Sequence, residues 1–121
     1  MPKQSIQELI NLKNKTAIVT GGAMGIGLGI VNRLYEAGAN VVIADLDKTA
    51  AEKAVASLGP SILGVAVDVS KEEDVNNLVV QTVAKFGGID ILVNNAGIYP
   101  NEPVMQMSEK DFDKVIAVNL R

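Results

Sequence analysis

The run Thr20-Gly21-Gly22-Ala23-Met24-Gly25-Ile26-Gly27 follows an apolar, β-like stretch, Thr16-Ala17-Ile18-Val19, and opens a helical pattern. A strand that passes into a helix through glycines constrains a chain strongly. The helix begins with unpaired backbone N–H groups at the positive end of its dipole. An anion binds there when no side chain stands in the way. In this reading Gly21 permits the tight turn, Gly25 lets the backbone approach a pyrophosphate, and Gly27 lets the helix lie close to the strand. The spacing is GxxxGxG rather than GxGxxG, and a glycine cluster by itself is equally well a flexible turn.

Its surroundings favour the anion site. The next strand, Asn40-Val41-Val42-Ile43-Ala44, ends in Asp45, and Thr16 to Asp45 has the roughly 30-residue size of one βαβ unit. Asp45 stands near the offset of about 20 residues at which an acid holds a ribose hydroxyl pair. The bland alternative is a solvated carboxylate at a strand end. A ribose 2′-phosphate would be repelled by Asp45. Gly22, Ala23 and Leu46 supply no Arg or Lys to attract one, and Lys48 is a poor substitute. The pattern therefore points to NAD rather than NADP.

The rest of the chain alternates strand and helix. A helix is expected from about Gly25 to Ala37, with Ile26, Ile30 and Leu34 on one face and Gly38 at its C′ position. A second runs from about Asp47 to Leu58, with Ala51, Ala54, Val55 and Leu58 inward, and Gly59-Pro60 stops it. Strand three is Ile62 to Val67. Ser70 and Glu73 read as a capping box for a third helix that carries Val75, Leu78, Val79, Thr82, Val83 and Phe86 inward and ends at Gly87-Gly88. Strand four is Ile89 to Val93. After a loop rich in Pro and Asn, Ser108 starts a fourth helix. Such alternation implies a parallel sheet with right-handed crossovers. No linker, low-complexity tract or repeat beyond the βα unit interrupts it. Hydrophobic residues are 48% of the 121 but aromatics only 3%, so the core is aliphatic, as a buried parallel sheet requires.

Composition also removes function classes. Net charge is −3 with no basic stripe, which argues against nucleic acid. With Cys 0 and His 0, disulfides, thiol chemistry, imidazole metal sites and His-based proton transfer are excluded; no metal site is expected. No apolar run reaches membrane-spanning length, and Met1 to Asn14 lacks a signal-peptide core. A soluble cytoplasmic protein is expected. Residues 1–14 form an N-terminal extension that docks loosely, and residues 15–121 form a single dinucleotide-binding unit, complete or partial.

Polar residues gather at the carboxyl ends of the expected strands: Thr20-Gly21, Asp45, Asp68 and Asn94-Asn95-Ala96-Gly97. Ligands bind along that edge in open α/β sheets. Asp68 alone is equally a loop carboxylate, and at least one of Asn94 and Asn95 is expected to pin the loop to neighbouring strands. Phe112, Val115, Ile116 and Asn119 share a helical stripe, where a buried amide costs roughly 1–3 kcal/mol unless it is hydrogen-bonded. The alternative for Asn119 is solvation at a frayed helix end.

With these residues in place, the chain from Lys15 to Leu120 resembles the N-terminal half of a short-chain dehydrogenase/reductase. The family's TGxxxGxG loop is matched by Thr20 to Gly27, its strand-two acid by Asp45, its Asp-Val pair by Asp68-Val69, its NNAG segment by Asn94 to Gly97, and its helix-four asparagine by Asn119 in Val118-Asn119-Leu120. The resemblance implies a Rossmann-like, doubly wound parallel sheet of four βα units, a truncated version of the family's sheet, with strand order 3-2-1-4. It implies an NAD-dependent oxidoreductase of alcohols and ketones. Gly21, Met24, Gly25, Ile26 and Gly27 would cradle the pyrophosphate. Asp45 and Leu46 would bind the adenosine ribose, and Asp68 and Val69 the adenine. Asn95, Ala96 and Gly97 would line the far ribose and steady the sheet, and Asn119 would hold a water in a proton relay.

One departure is plain. The family's catalytic Ser and its Tyr-x-x-x-Lys would fall after Arg121. Neither tyrosine substitutes, since Tyr35 is followed four places on by Ala39 and Tyr99 by Pro103. The chain alone is therefore expected to be inactive, either as a piece of a dehydrogenase or as a non-catalytic nucleotide-binding module. Strand four would be an apolar edge that recruits a second copy or a completing polypeptide.

Overall fold

A computed structural model of the chain describes residue 3 and residues 5–97 and 108–119, with side chains at all of these except 111, 112 and 119. The loop expected after strand four, with Tyr99, and the side chains of Phe112 and Asn119 lie outside the described residues. Strands β1 (Thr16–Thr20), β2 (Asn40–Asp45), β3 (Ile62–Ala66) and β4 (Ile91–Val93) form one parallel sheet in the order β3-β2-β1-β4. Helices α1 (Ile6–Leu9), α2 (Gly25–Glu36), α3 (Lys48–Leu58), α4 (Glu72–Phe86) and α5 (Glu109–Asn119) complete the element order. This is the Rossmann-like order expected from the sequence.

Alternation along the central strands builds two cores. Val19, Val41 and Ile43 pack with Val31 of α2 and with Ala51 and Ala54 of α3. Ile18, Val42 and Ala44 face the other way and pack with Val65, Val67 and Leu78 of α4. β1 is buried at every residue and β2 at every residue but Asn40, as a strand covered on both faces must be. Each fully buried aliphatic side chain contributes about 1.5–3 kcal/mol. Thr82 is also fully buried. Its hydroxyl donates to the Leu78 carbonyl at 2.7 Å, so burial leaves no polar atom unpaired.

Several local expectations are corrected. Ile26 is 80% exposed, and α2 instead sets Gly27 and Val31 against the sheet. Val79 and Val83, expected inward on α4, are 41% and 45% exposed; Leu78 and Thr82 take the sheet-facing stripe. The Ser70–Glu73 capping box does not form. Lys71 is the N-cap and makes no side-chain cap bond, because the Ser70 hydroxyl and N–H both donate to Asp68 Oδ1. A charged acceptor two residues away outcompetes a neutral cap. β4 starts at Ile91 rather than Ile89. Thr16 donates its N–H to the Asp90 carboxylate at 2.8 Å, where a continuing ladder would use a backbone carbonyl. A reciprocal capping box does occur, in a place the sequence reading passed over: Ser5 and Glu8 close α1. The segment then returns to the body where Leu12 N–H meets the Ala37 carbonyl at 2.8 Å.

Candidate functional site

The glycine loop is held from three sides. Gly21 N–H donates to the Ala44 carbonyl at 2.7 Å, and Ala23 N–H donates to Asp45 Oδ2 at 3.1 Å. Asn95 Nδ2 donates to the Gly21 carbonyl at 3.2 Å. The register sets Thr20 opposite Ala44, which brings these ends level. The Thr20 hydroxyl donates to the Val93 carbonyl at 3.2 Å and accepts the N–H groups of Asn95 and Ala96 at 3.0 Å each. Of the two asparagines, Asn95 is therefore the one that pins the loop, while Asn94 is exposed.

Two glycines define the shape of the loop. A Cβ at Gly27 would run into the Gly21 carbonyl oxygen and lie 2.5 Å from Asn95 Nδ2, so only glycine lets α2 start this close to β1. Gly25 has φ +60° and nothing within 4 Å of where a Cβ would be. Its backbone is open to an approaching group. Met24, the N-cap of α2, makes no side-chain cap bond, so no side chain closes the helix's positive end.

This opening is the floor of a cleft of about 700 Å³, within the usual range for small-molecule sites. Gly21, Met24, Gly25, Ile26 and Gly27 line it from the first strand–helix turn, Asp45 and Leu46 from the second, Asp68 and Val69 from the third, and Asn95, Ala96 and Gly97 from the fourth. The residues singled out from the sequence as cofactor contacts thus share one cavity. Met24, Ile26 and Leu46 are 55%, 80% and 63% exposed. Their clustering at one opening gives it apolar walls suited to a flat or cyclic group. Asn119 ends α5, and its expected side-chain role lies outside the described residues.

Electrostatics divide the cleft. Two carboxylates, Asp45 and Asp68, stand on the β2–β3 side. Asp68 is held below the usual carboxylate range, first by the Ser70 hydroxyl, then by the Ser70 N–H, with burial opposing and Lys71 and Lys114 assisting. Its own N–H donates to Asp74 at 2.9 Å. Lys48 lies 4.0 Å from Glu52 and is largely exposed. The sequence reading missed Lys114 and Val118, which line the cleft from α5. Their four-residue spacing on one helical face was the available signal. Among the described residues no cluster of acidic side chains is arranged to hold a metal ion, and no helix is long and apolar enough to cross a membrane.

Comparison with known proteins agrees with this geometry. The short chain dehydrogenase family profile matches residues 15–121, and the chain belongs to that family. It is 44% identical over 112 residues to an uncharacterized oxidoreductase of Mycobacterium bovis, covering 91% of this chain and 45% of that protein. It is 39% identical over 112 residues to galactitol 2-dehydrogenase of Agrobacterium fabrum, covering 93% and 44%. Among solved structures, a 3-ketoacyl-(acyl-carrier-protein) reductase from Brucella melitensis, complexed with NADH, superposes with TM-score 0.87 at 41% identity, covering 91% of this chain and 46% of that one. The chain spans less than half the length of the relatives it matches.

Proposed function

We propose that this chain binds a nicotinamide dinucleotide along the cleft, NAD(H) in preference to NADP(H), as the cofactor-binding portion of an oxidoreductase of alcohols and ketones. The observation that carries this reading is the uncapped N-terminus of α2 behind the open backbone of Gly25, flanked by carboxylates at the ends of β2 and β3. The first turn of α2 offers N–H groups to a pyrophosphate. Asp45 offers acceptors to the adenosine ribose and repels a 2′-phosphate. Asp68, with one oxygen engaged by Ser70, offers an acceptor to the adenine, against Val69 and Val118. Gly97 and the Asn95–Ala96 backbone line the nicotinamide half.

The bound nicotinamide would supply or accept the hydride. The chain's own residues bind it, orient it and exclude water from it. A forming alkoxide also needs a proton donor, an effect of about 10²–10⁴ in rate. The 121-residue chain contains no Tyr-x-x-x-Lys to act as that donor. The chain alone therefore binds without turning over substrate. Fluorescence titration with NADH and NADPH tests the binding. NADH binds more tightly if the reading is right; equal or tighter NADPH binding would sink it. Turnover of a secondary alcohol that scales with chain concentration after repurification would sink the second half.

A second reading rests on a separate observation. Leu92 of β4 and Val79, Val80 and Val83 of α4 are 57%, 41%, 66% and 45% exposed, which favours self-association of the chain. Light scattering over a concentration series separates an associating species from a monodisperse monomer.

A further inference from the structure

Asp45 is 9% exposed and closes β2. Its Oδ2 accepts Ala23 N–H of the glycine loop at 3.1 Å, and its Oδ1 accepts Asp47 N–H of the β2–α3 turn at 3.0 Å. Its carbonyl accepts Val67 N–H at 2.9 Å. One residue thereby ties together three of the four strand–helix turns that line the cleft. We infer that Asp45 is a positioning residue: its carboxylate is the strut that holds the glycine loop in its binding shape, apart from any contact it makes with a ribose.

The loop needs such a strut. Gly21 and Gly25 have φ +64° and +60°, and glycines at such turns carry the largest backbone freedom of any residue. Beside the Asn95 amide on the Gly21 carbonyl, two hydrogen bonds to β2 oppose that freedom among the described residues: Gly21 N–H to the Ala44 carbonyl and Ala23 N–H to Asp45. The second is charge-assisted and therefore the stronger kind. A carboxylate suits the position because both of its partners are N–H donors. An asparagine amide has one acceptor oxygen and would turn its NH₂ against the other donor. Each carboxylate oxygen also keeps an acceptor site after its backbone bond, so a ribose diol is accommodated without releasing the loop.

The consequence for ligands rests on the dinucleotide reading, but the strut itself is measurable without one. Amide hydrogen exchange on the free chain is expected to show Ala23 N–H protected. In Asp45→Asn that protection falls roughly tenfold to a hundredfold, while the amides of Val41 to Ala44 stay protected and report an intact sheet. Titration then uses NADH and its analogue lacking the adenosine ribose hydroxyls. The strut predicts at least a tenfold loss of affinity in Asp45→Asn for both ligands. Loss for NADH with an unchanged analogue would make Asp45 a ribose acceptor only, and would overturn the inference; so would unchanged affinity for both. If Asp45→Asn does not fold, the wild-type chain decides, since an Ala23 amide exchanging at the rate of an exposed loop overturns the strut. If the wild-type chain binds neither dinucleotide, the proposed function fails, and the Ala23 amide still decides the strut.

Discussion

The β1–β2 centre and the β4–α4 flank are written in the same aliphatic alphabet and meet opposite fates. Val41, Val42 and Ile43 are 0% exposed, whereas Val80 and Leu92 are 66% and 57% exposed. β1 and β2 each have a strand on either side and helices on both faces. β4 is a three-residue strand paired to β1, and of the residues of α4 Leu78 and Thr82 alone are buried, with Phe86 half-buried against the same core. Burial in this molecule is thus set by how many layers cover a residue, and the residue's own hydropathy does not reveal it. The cleft is lined from the turns after β1, β2 and β3 and takes its last side from the turn after β4 and from α5.

The contrast breaks first at the core. Ile43→Ala is expected to cost about 2–5 kcal/mol, and Leu92→Ala no more than about 0.5 kcal/mol. Urea unfolding of both variants measures the gap, and similar losses would erase the distinction between the two regions. Next comes Gly27→Ala, where the added methyl meets the Gly21 carbonyl and Asn95. Overpacking of this kind costs about 1–3 kcal/mol, and pushing α2 outward should also weaken NADH binding. A variant with wild-type melting temperature and affinity would show that the close approach is not needed.

Asp68 tests the cleft's outer carboxylate through pH. Its folded pKa lies below the ordinary 3.8 because Ser70 donates to the ionised form. A depressed folded pKa contributes stability that is fully present above the unfolded value and is lost as pH falls through the folded one. Ser70→Ala should therefore be less stable than wild type near neutral pH, by a gap that closes below 3.8. A gap that stays constant into acid would remove Ser70 as the cause. The smallest effect on stability is expected on the flank. Val80→Lys should leave the unfolding free energy from urea titration within about 0.5 kcal/mol of wild type while shifting light scattering toward the monomer. Unchanged association would place the contact elsewhere.

Much of the fold was legible in the sequence because its signals are local. The strand–helix alternation, Gly38 and Gly87 behind their helices, and the start of α3 at about Asp47 depend on neighbours a few residues away. So do the glycine spacing of the loop and the acids at the ends of β2 and β3, which is why the expected cofactor contacts share one cleft. Competition among polar groups was less legible. Ser70 satisfies a capping pattern on paper, yet Asp68 takes its hydroxyl.

What the sequence by itself determined is the order and kind of the elements and the strip of residues at their carboxyl ends, since periodicity and turn chemistry act within a few residues. Only the tertiary structure decided which of many similar aliphatic side chains are buried. Nor does anything local foretell that the Thr20 hydroxyl receives the Asn95 and Ala96 amides, or that Asp90 takes the Thr16 N–H. Those contacts join residues far apart in the chain, and they exist because the β3-β2-β1-β4 order sets β4 beside β1.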